Sequence, residues 1–452
     1  MTNISQLLAQ GDLACTCGQH HHTDLRFYEQ GAGALRRLPE LLRRIQPAPY
    51  VYLCFDQNLH TLFHAQVEGV LREAGIPYAV GILPRQHPFP NEESLDSLRA
   101  QWQPGCSIVV GVGSGVVNDC CKTLAFERNL PQAIIATAPS MDGYASSSSS
   151  LLVKGIKTTV YQRCPLAIIA DTDLLRTAPQ RMIWAGFGDM IAKYIALAEW
   201  RISHLVTGEA CCPWIAALMR NAVQQVGQHA SGLNHLEPQA LESIMNGLVL
   251  SGMAMSYAAN SRPASGLEHY FSHVWDMKNL AEGKAEELHG IQVGVGSLIT
   301  LRILNKLRHM PLDFAAAEGY AERFDQQRWE ARLHREFPDT AESLLKSAAQ
   351  DGRNDPKKHA ARLHATAANW PEICRILDAE LPAYDDLLNS MLSLGMPLDY
   401  EEIGQTAQSA HIALICSRDM RDKYLTSTLL WDLGLLYEDT LWADCLRPDR
   451  RN

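Results

Sequence analysis

Ser107-Ile-Val-Val-Gly111-Val-Gly113-Ser-Gly115-Val-Val-Asn118-Asp119 joins a short β-branched run to closely spaced glycines and then to a helical pattern. In such a strand–turn–helix unit, glycines let the backbone approach a pyrophosphate. The helix N-terminus adds unpaired N–H groups and a positive dipole. The spacing is GxGxG, not GxGxxG, so by itself it fits a ligand-free tight turn as well as a dinucleotide site. Outward from it the pattern repeats. Buried-strand runs lie at Tyr50–Phe55, Ala79–Leu83, Ala133–Thr137 and Leu166–Ala170, with helical stretches such as Asn58–Ala74 and Asn118–Phe126 between them. This alternation predicts a doubly wound parallel sheet over residues 1–180. Leu151–Cys164, with Lys154-Gly155-Ile156-Lys157 at its turn, reads instead as a hairpin laid over that sheet.

After Pro179 the strand-like runs stop. Apolar residues recur at 3–4-residue spacing through Met182–Trp200, Cys212–His229, Leu241–Asn260 and Glu401–Leu436. Asp399 with Glu402 reads as a helix start, and Gln350–Lys358 as an exposed loop between helices. Residues 181–452 are therefore expected to be all-helical, with a ligand site in the crevice between the two halves.

Composition narrows the function. In 452 residues, 40 Lys and Arg stand against 50 Asp and Glu, a net charge of −10. An acidic chain with no basic patch excludes nucleic acid as a partner. No stretch is apolar enough to span a membrane, so no membrane partner is expected, and Met1 to Gly11 has no secretory pattern. Twelve scattered cysteines without a CxxC pair suit reduced thiols in the cytoplasm. Cys15-Thr-Cys17-Gly-Gln-His-His-His22 contains metal-ligand types but lacks zinc-finger spacing, and an ordinary N-terminal segment is the simpler reading.

Three groups of residues carry chemistry. Asp56, just past a strand, can take both hydroxyls of an adenosine ribose and repel a 2′-phosphate, favouring NAD over NADP, or it can simply cap a helix. Thr137-Ala-Pro-Ser140-Met-Asp142-Gly-Tyr-Ala-Ser146 lies at another strand's carboxyl end. Its hydroxyls and carboxylate can grip a nicotinamide, ribose or polyol, or form only a turn. The third group is spread out: Gly186-Phe-Gly188-Asp189, read as opening a helix, then Glu268-His269, His273 and His289-Gly290. His269 and His273 stand at i, i+4 on one helical face. A carboxylate with two imidazoles suits a divalent metal with open positions, although a lone His is more often core or surface.

Together these residues resemble the sn-glycerol-1-phosphate dehydrogenase family. Its archaeal lipid-backbone enzymes and bacterial AraM-like relatives lie within the iron-containing alcohol dehydrogenase and dehydroquinate synthase group. The ordered series is Gly113 to Asp119, Thr137 to Gly143, Pro165 to Asp171, Ala185 to Asp189, Ser261 to Gly266, Glu268-His269, His289-Gly290 and Arg421-Asp-Lys-Tyr424. The resemblance implies a Rossmann-like α/β domain followed by an all-α domain, with the active site in the interdomain cleft. It implies metal ligands at Asp189, His269 and His289. It implies dinucleotide contacts at Gly115, Val116, Val117, Asn118, Asp119, Thr137, Ala138, Pro139, Ser140 and Ser146, to which the glycine turn itself adds Gly113 and the strand-end carboxylate adds Asp56. Catalytic or substrate contacts follow at Asp142, Asp189 and His273. The chain is longer than typical members, Arg308–Pro371 matches little, and Leu267 replaces a small or polar residue.

The activity so implied is NAD(P)H-linked reduction of dihydroxyacetone phosphate to sn-glycerol 1-phosphate, with Zn, Ni or Fe polarising the C2 carbonyl. His273 is expected either to relay the proton or to orient a ligand. Arg262 and Lys193 are the expected phosphate donors. A metal-dependent dehydrogenase of free glycerol or another polyol is the alternative. A cofactor-binding protein without turnover is a further one, against which the intact Asp/His/His set argues. A homodimer is expected as the commonest assembly.

Overall fold

The computed structural model describes residues 3–85, 87–153 and 156–447. Ten strands precede residue 172: β1 (Leu13–Ala14), β2 (His20–His21), β3 (Phe27–Gly31), β4 (Val51–Phe55), β5 (Tyr78–Ile82), β6 (Ile108–Gly113), β7 (Gln132–Ala136), β8 (Ser148–Val153), β9 (Ile156–Tyr161) and β10 (Ala167–Asp171). Six form one parallel sheet in the order β3-β10-β7-β6-β4-β5. Alternate side chains fill opposite faces, as the two-residue period of a strand requires. Val51, Leu53, Phe55, Ile108, Val110 and Val112 join one core, while Tyr52, Cys54 and Val109 join the other.

The chain steps from β4 out to β5 and then back across β4 to β6. The strand order therefore reverses between β4 and β6, the place where an open parallel sheet leaves a crevice for a ligand. Asp56 follows β4 there, and β6 ends at Gly113 with Ser114 and Gly115 after it.

The expected strands are all present within one or two residues of their ends. Not anticipated are the short β1 and β2 and, within the large sheet, β3, a half-exposed edge strand whose Glu29 and Gln30 break the apolar run. The hairpin is β8 paired antiparallel with β9, starting at Ser148 inside the serine run. Its Leu151 packs with Cys120, Cys121 and Leu124 of the Gly115–Glu127 helix. The proposed turn residues Lys154 and Gly155 lie outside the described residues.

Beyond β10 the described residues contain helices only, and the long stretches are subdivided. Met182–Trp200 is two helices, Gln180–Ile191 and Lys193–Thr207. Glu401–Leu436 is likewise not continuous. Gly404 in the left-handed region ends a short turn, and a capping box at Thr406 and Ser409 starts Ala407–Cys416 afresh. Asp399 does accept from the Glu401 and Glu402 amides, but it opens only that single turn. Gln350–Lys358 is not an exposed loop either. Gly352 ends one helix, and the Asp355-Pro356 step opens the long Pro356–Glu380 helix, with Asp355 as N-cap. Arg353 between them is buried and donates to the Asp419 carbonyl.

The chain forms two compact units. One comprises Met1–Met190 with Ala217–Asn260, the other Ile191–Ala216 with Ser261–Asn452. No helix of the described residues is long and apolar enough to cross a membrane.

Candidate active site and metal ligands

In the sheet-bearing unit the Gly115–Glu127 helix begins directly after β6, and its N-cap, Ser114, makes no side-chain cap hydrogen bond. The first-turn N–H groups are thus left for an anion, which the helix dipole favours. Gly115 has open space above it, since a Cβ there would meet nothing nearer than Met141 Cγ at 3.9 Å. The Ser114 and Ser140 hydroxyls are hydrogen-bonded to each other across the mouth of this turn. Thr137 N donates to the Gly113 carbonyl at 3.2 Å, holding the two strand ends in register. Val117 is buried in the core, so only its backbone is available to a nucleotide, whereas Val116 is half-exposed. Asp56 caps the Gln57–Glu73 helix, accepting from Leu59 N at 2.8 Å, and burial raises its carboxyl pKa.

Several of the expected cofactor positions also build the loop beside them. Asn118 Nδ2 donates to the Gly143 carbonyl at 3.3 Å, and Asp119 Oδ2 accepts from Ser150 N at 3.0 Å. Ser146 Oγ accepts from Lys122 Nζ at 3.3 Å. Lys122, which the sequence did not single out, is fully buried and also donates to the Gly143 and Ser148 carbonyls at 2.7 and 2.9 Å. Burial lowers its pKa, and Asp119 opposes the shift. Its helical spacing from Asn118 and Asp119 is the one signal that marks it in the sequence.

Asp189 stands near the end of the Gln180–Ile191 helix, not at the start of one as expected. The glycines that suggested a helix boundary serve close packing within the helix. A Cβ on Gly186 would lie 1.8 Å from the Pro139 carbonyl oxygen. With the helix that near, Asp189 Oδ2 accepts from Asp142 N at 2.9 Å. Asp142 Oδ2 in turn accepts from Ser251 Oγ at 2.8 Å, and Ser256 Oγ donates to the Ala145 carbonyl at 3.1 Å. Tyr144 OH closes the turn on the Ala138 carbonyl at 2.7 Å. Neither Ser251 nor Ser256 was foreseen, because both sit in the mostly apolar second half of the Pro238–Ala258 helix.

In the helical unit, Leu267–Ala281 carries His269 and His273, and His289 is the first residue of His289–His309. These helices approach closely because a Cβ on Gly296 would sit 2.6 Å from the Glu268 carbonyl. The His269 and His289 rings lie edge to face at 5.2 Å between centroids, and His273 stacks on His289 at 5.9 Å. His269 Nδ1 is bound to Glu268 Oε1 at 2.9 Å and His289 Nδ1 to Ser272 Oγ at 2.8 Å. A ring whose Nδ1–H is held by an oxygen presents its lone pair at Nε2, the arrangement of metal-binding imidazoles. Behind them Glu199 Oε2 accepts from Leu267 N at 3.0 Å, and Oε1 accepts from Thr426 N at 2.8 Å. Burial, and then the Glu268 carboxylate, push the Glu199 pKa up to about 7.

The two expected phosphate donors are committed elsewhere. Lys193 Nζ donates to the Ala264 carbonyl at 3.0 Å. Arg262 binds Glu209, the Tyr424 carbonyl and Ser203. Lys423, inside the quoted Arg421-Asp-Lys-Tyr424 motif, differs from both. Its Nζ donates to Ser261 Oγ at 2.8 Å and the Ser265 carbonyl at 3.3 Å, with no carboxylate at ion-pair distance among the described residues. Burial, then Arg262 and Arg421, lower its pKa to about 7 against the pull of Glu268 and Glu199. The ammonium lies 6.0 Å from the Tyr270 ring centre, and that ring meets His273 edge to face at 5.6 Å.

Residues 29–179 match the family described as iron-containing alcohol dehydrogenase. Solved structures share the fold. A glycerol dehydrogenase from Schizosaccharomyces pombe superposes with a TM-score of 0.60 at 17% identity, over 93% of this chain and 90% of that one. Sulfoacetaldehyde reductase from Bifidobacterium kashiwanohense, solved with NAD+, gives 0.60 at 13%, over 95% of this chain and 99% of its own. The protein is thus a metal- and NAD(P)-dependent oxidoreductase of the iron-containing alcohol dehydrogenase type. Within that class, similarity to proteins named glycerol-1-phosphate dehydrogenase [NAD(P)+] is extensive. The Bacillus licheniformis protein is 33% identical over 65% of this chain and 74% of its own length, and the Bacillus subtilis protein 32% over 61% and 71%. The chain belongs to the glycerol-1-phosphate dehydrogenase family.

Gly186→Ala is expected to cost about 3 kcal/mol or more, because a backbone carbonyl cannot yield as a side chain does. Gly69→Ala, in open space on the Gln57–Glu73 helix, is expected to stabilise by roughly 0.5–1 kcal/mol. Urea unfolding of the two variants beside the parent checks both signs.

Proposed function

We propose that this enzyme interconverts dihydroxyacetone phosphate and sn-glycerol 1-phosphate, with the nicotinamide cofactor lying on the turn after β6 and a divalent ion held by Asp189, His269 and His289. The donor chemistry fits the ion: one carboxylate and two imidazoles whose Nδ1 atoms are both tied to oxygens, so that Nε2 is the ligating nitrogen. Bound there, such an ion supplies Lewis acidity to a ketone oxygen. The residues around it orient and move protons. Asp142 is held by Asp189 and Ser251 and is placed to accept from a substrate hydroxyl. His273, stacked on His289, is the imidazole proposed to exchange the proton of the substrate oxygen. Asp56, whose Oδ1 caps its helix, contacts the ribose through Oδ2, which favours NAD.

The observation that carries a phosphorylated substrate is Lys423. An ammonium has three donors. Two are used on a hydroxyl and a carbonyl, and the half-buried group has no carboxylate at ion-pair distance among the described residues. Burial of an uncompensated charge is costly, and a phosphate oxygen offsets that cost. Twelve cysteines, eight of them buried and scattered along the chain without a CxxC pair, support a reducing compartment, and we place the enzyme in the cytoplasm.

Chelation is expected to abolish turnover, and Zn2+, Ni2+ or Fe2+ to restore it. Full activity of rigorously metal-free enzyme would remove the ion from the site. Ser272→Ala, which releases His289 Nδ1, is expected to weaken metal affinity about 10- to 100-fold by titration.

Lys423→Ala is expected to lower kcat/KM for dihydroxyacetone phosphate roughly tenfold to a hundredfold, the worth of a charge-assisted hydrogen bond. The same variant should leave the slower reaction of unphosphorylated dihydroxyacetone nearly unchanged. Equal rates of the parent enzyme on the two ketones would instead identify a free-polyol dehydrogenase.

A further inference from the structure

The N-terminal segment around Cys15 plays no part in the chemistry above, yet it is built with care. β1 and β2 form a two-stranded ribbon of two residues each, with Leu13 opposite His21 and Ala14 opposite His20. The loop between them is closed by Cys15 N donating to the Gln19 carbonyl at 3.1 Å and Gly18 N to the Cys15 carbonyl at 2.9 Å. A ribbon this short is not stable on its own and needs a staple.

The three consecutive histidines separate by strand alternation. His20 is exposed and His21 is buried. His22 is exposed too, and both of its nitrogens face carboxylates, Asp12 at 2.6 Å and Asp24 at 3.2 Å, hydrogen bonds that raise its pKa. His21 is arranged in another way. Its Nδ1 lies 2.9 Å from the Tyr257 carbonyl, which can only accept, so the ring proton is on Nδ1 and the lone pair on Nε2. That Nε2 stands 3.4 Å from Cys17 Sγ. The ligand atoms of Cys15, Cys17 and His21 all lie within 4.8 Å of one another.

We propose that Cys15, Cys17 and His21 bind a zinc ion that staples the β1–β2 ribbon, a structural site separate from the catalytic ion. Two ligands of a tetrahedral zinc, one sulfur at about 2.3 Å and one imidazole nitrogen at about 2.0–2.1 Å, stand about 3.6 Å apart. The Cys17–His21 separation matches that spacing. Two soft thiolates select zinc over the harder divalent ions, and the carbonyl on Nδ1 is the orienting partner that zinc-bound imidazoles carry. Binding releases the two thiol protons to solvent and involves no redox change.

The test measures zinc on the whole chain and does not depend on catalytic activity. Elemental analysis of the parent and of a Cys15→Ser/Cys17→Ser variant, both reconstituted with Zn2+ and desalted, is expected to differ by about one equivalent per chain. The variant should retain the catalytic equivalent and its turnover. Because such a variant can misfold, the parent alone gives a second measurement. Mass-spectrometric mapping of maleimide labelling should show Cys15 and Cys17 protected with zinc and labelled after chelation. Co2+ in place of zinc should add thiolate-to-metal charge-transfer bands. Equal zinc content in parent and variant, or labelling of both cysteines at the same rate with and without zinc, overturns the proposal.

Discussion

The turn after β7 depends on how near one helix comes to one carbonyl. Gly186 lets the Gln180–Ile191 helix press against Pro139, and no side chain with a Cβ fits in that gap. That contact brings Asp189 to the Asp142 amide and turns a flexible Pro-Ser-Met-Asp-Gly stretch into a fixed one. Ser251, Ser256 and Lys122 then fasten the same turn from other sides. Each of these bonds has a defined geometry only because the backbone they grip is already immobile. A site preorganised in this way does not spend substrate binding energy on ordering itself.

Charge in the interior follows one rule. Lys122 is fully buried but surrounded by carbonyl and hydroxyl oxygens, so its ammonium is solvated by the protein and stays structural. Glu199 and Glu268 share the head of the Leu267–Ala281 helix, where backbone N–H groups offset part of the repulsion between two carboxylates. Lys423 has fewer oxygens around it and two guanidinium groups nearby. Its three donors meet two protein oxygens, against three for Lys122.

Much of this was legible in the sequence. Strand runs in a fully buried parallel sheet are nearly continuous apolar stretches, so β4, β6, β7 and β10 stand out, while the edge strand β3 carries Glu29 and Gln30 and does not. The histidines and Asp189 were visible as residue types near glycines. Asp189 was nevertheless assigned to the wrong end of its helix, since a glycine that permits close approach looks, in one dimension, like a glycine that ends a helix. Ser251 and Ser272 were not visible at all, and Lys122 only through its spacing from Asn118 and Asp119. Their roles arise from partners far away in sequence or from burial, and local pattern carries neither. Arg262 and Lys193 were chosen as phosphate donors for nearness to motifs, whereas the structure shows them satisfied by their own chain.

The imidazoles show how a chain specifies reactivity without unusual residues. His21, His269 and His289 each have Nδ1 held by an oxygen: a carbonyl, a carboxylate and a hydroxyl respectively. His22, with a carboxylate on each nitrogen, has both ring positions occupied instead, and its pKa is raised. Which atoms hold the ring therefore decides which nitrogen an imidazole leaves open. An imidazole fixed in one tautomer and one orientation loses little freedom on meeting a metal, and that saving is why the oxygens behind the ligands matter as much as the ligands. Ser272 and the Tyr257 carbonyl therefore belong to the chemistry of this protein as firmly as the histidines they hold.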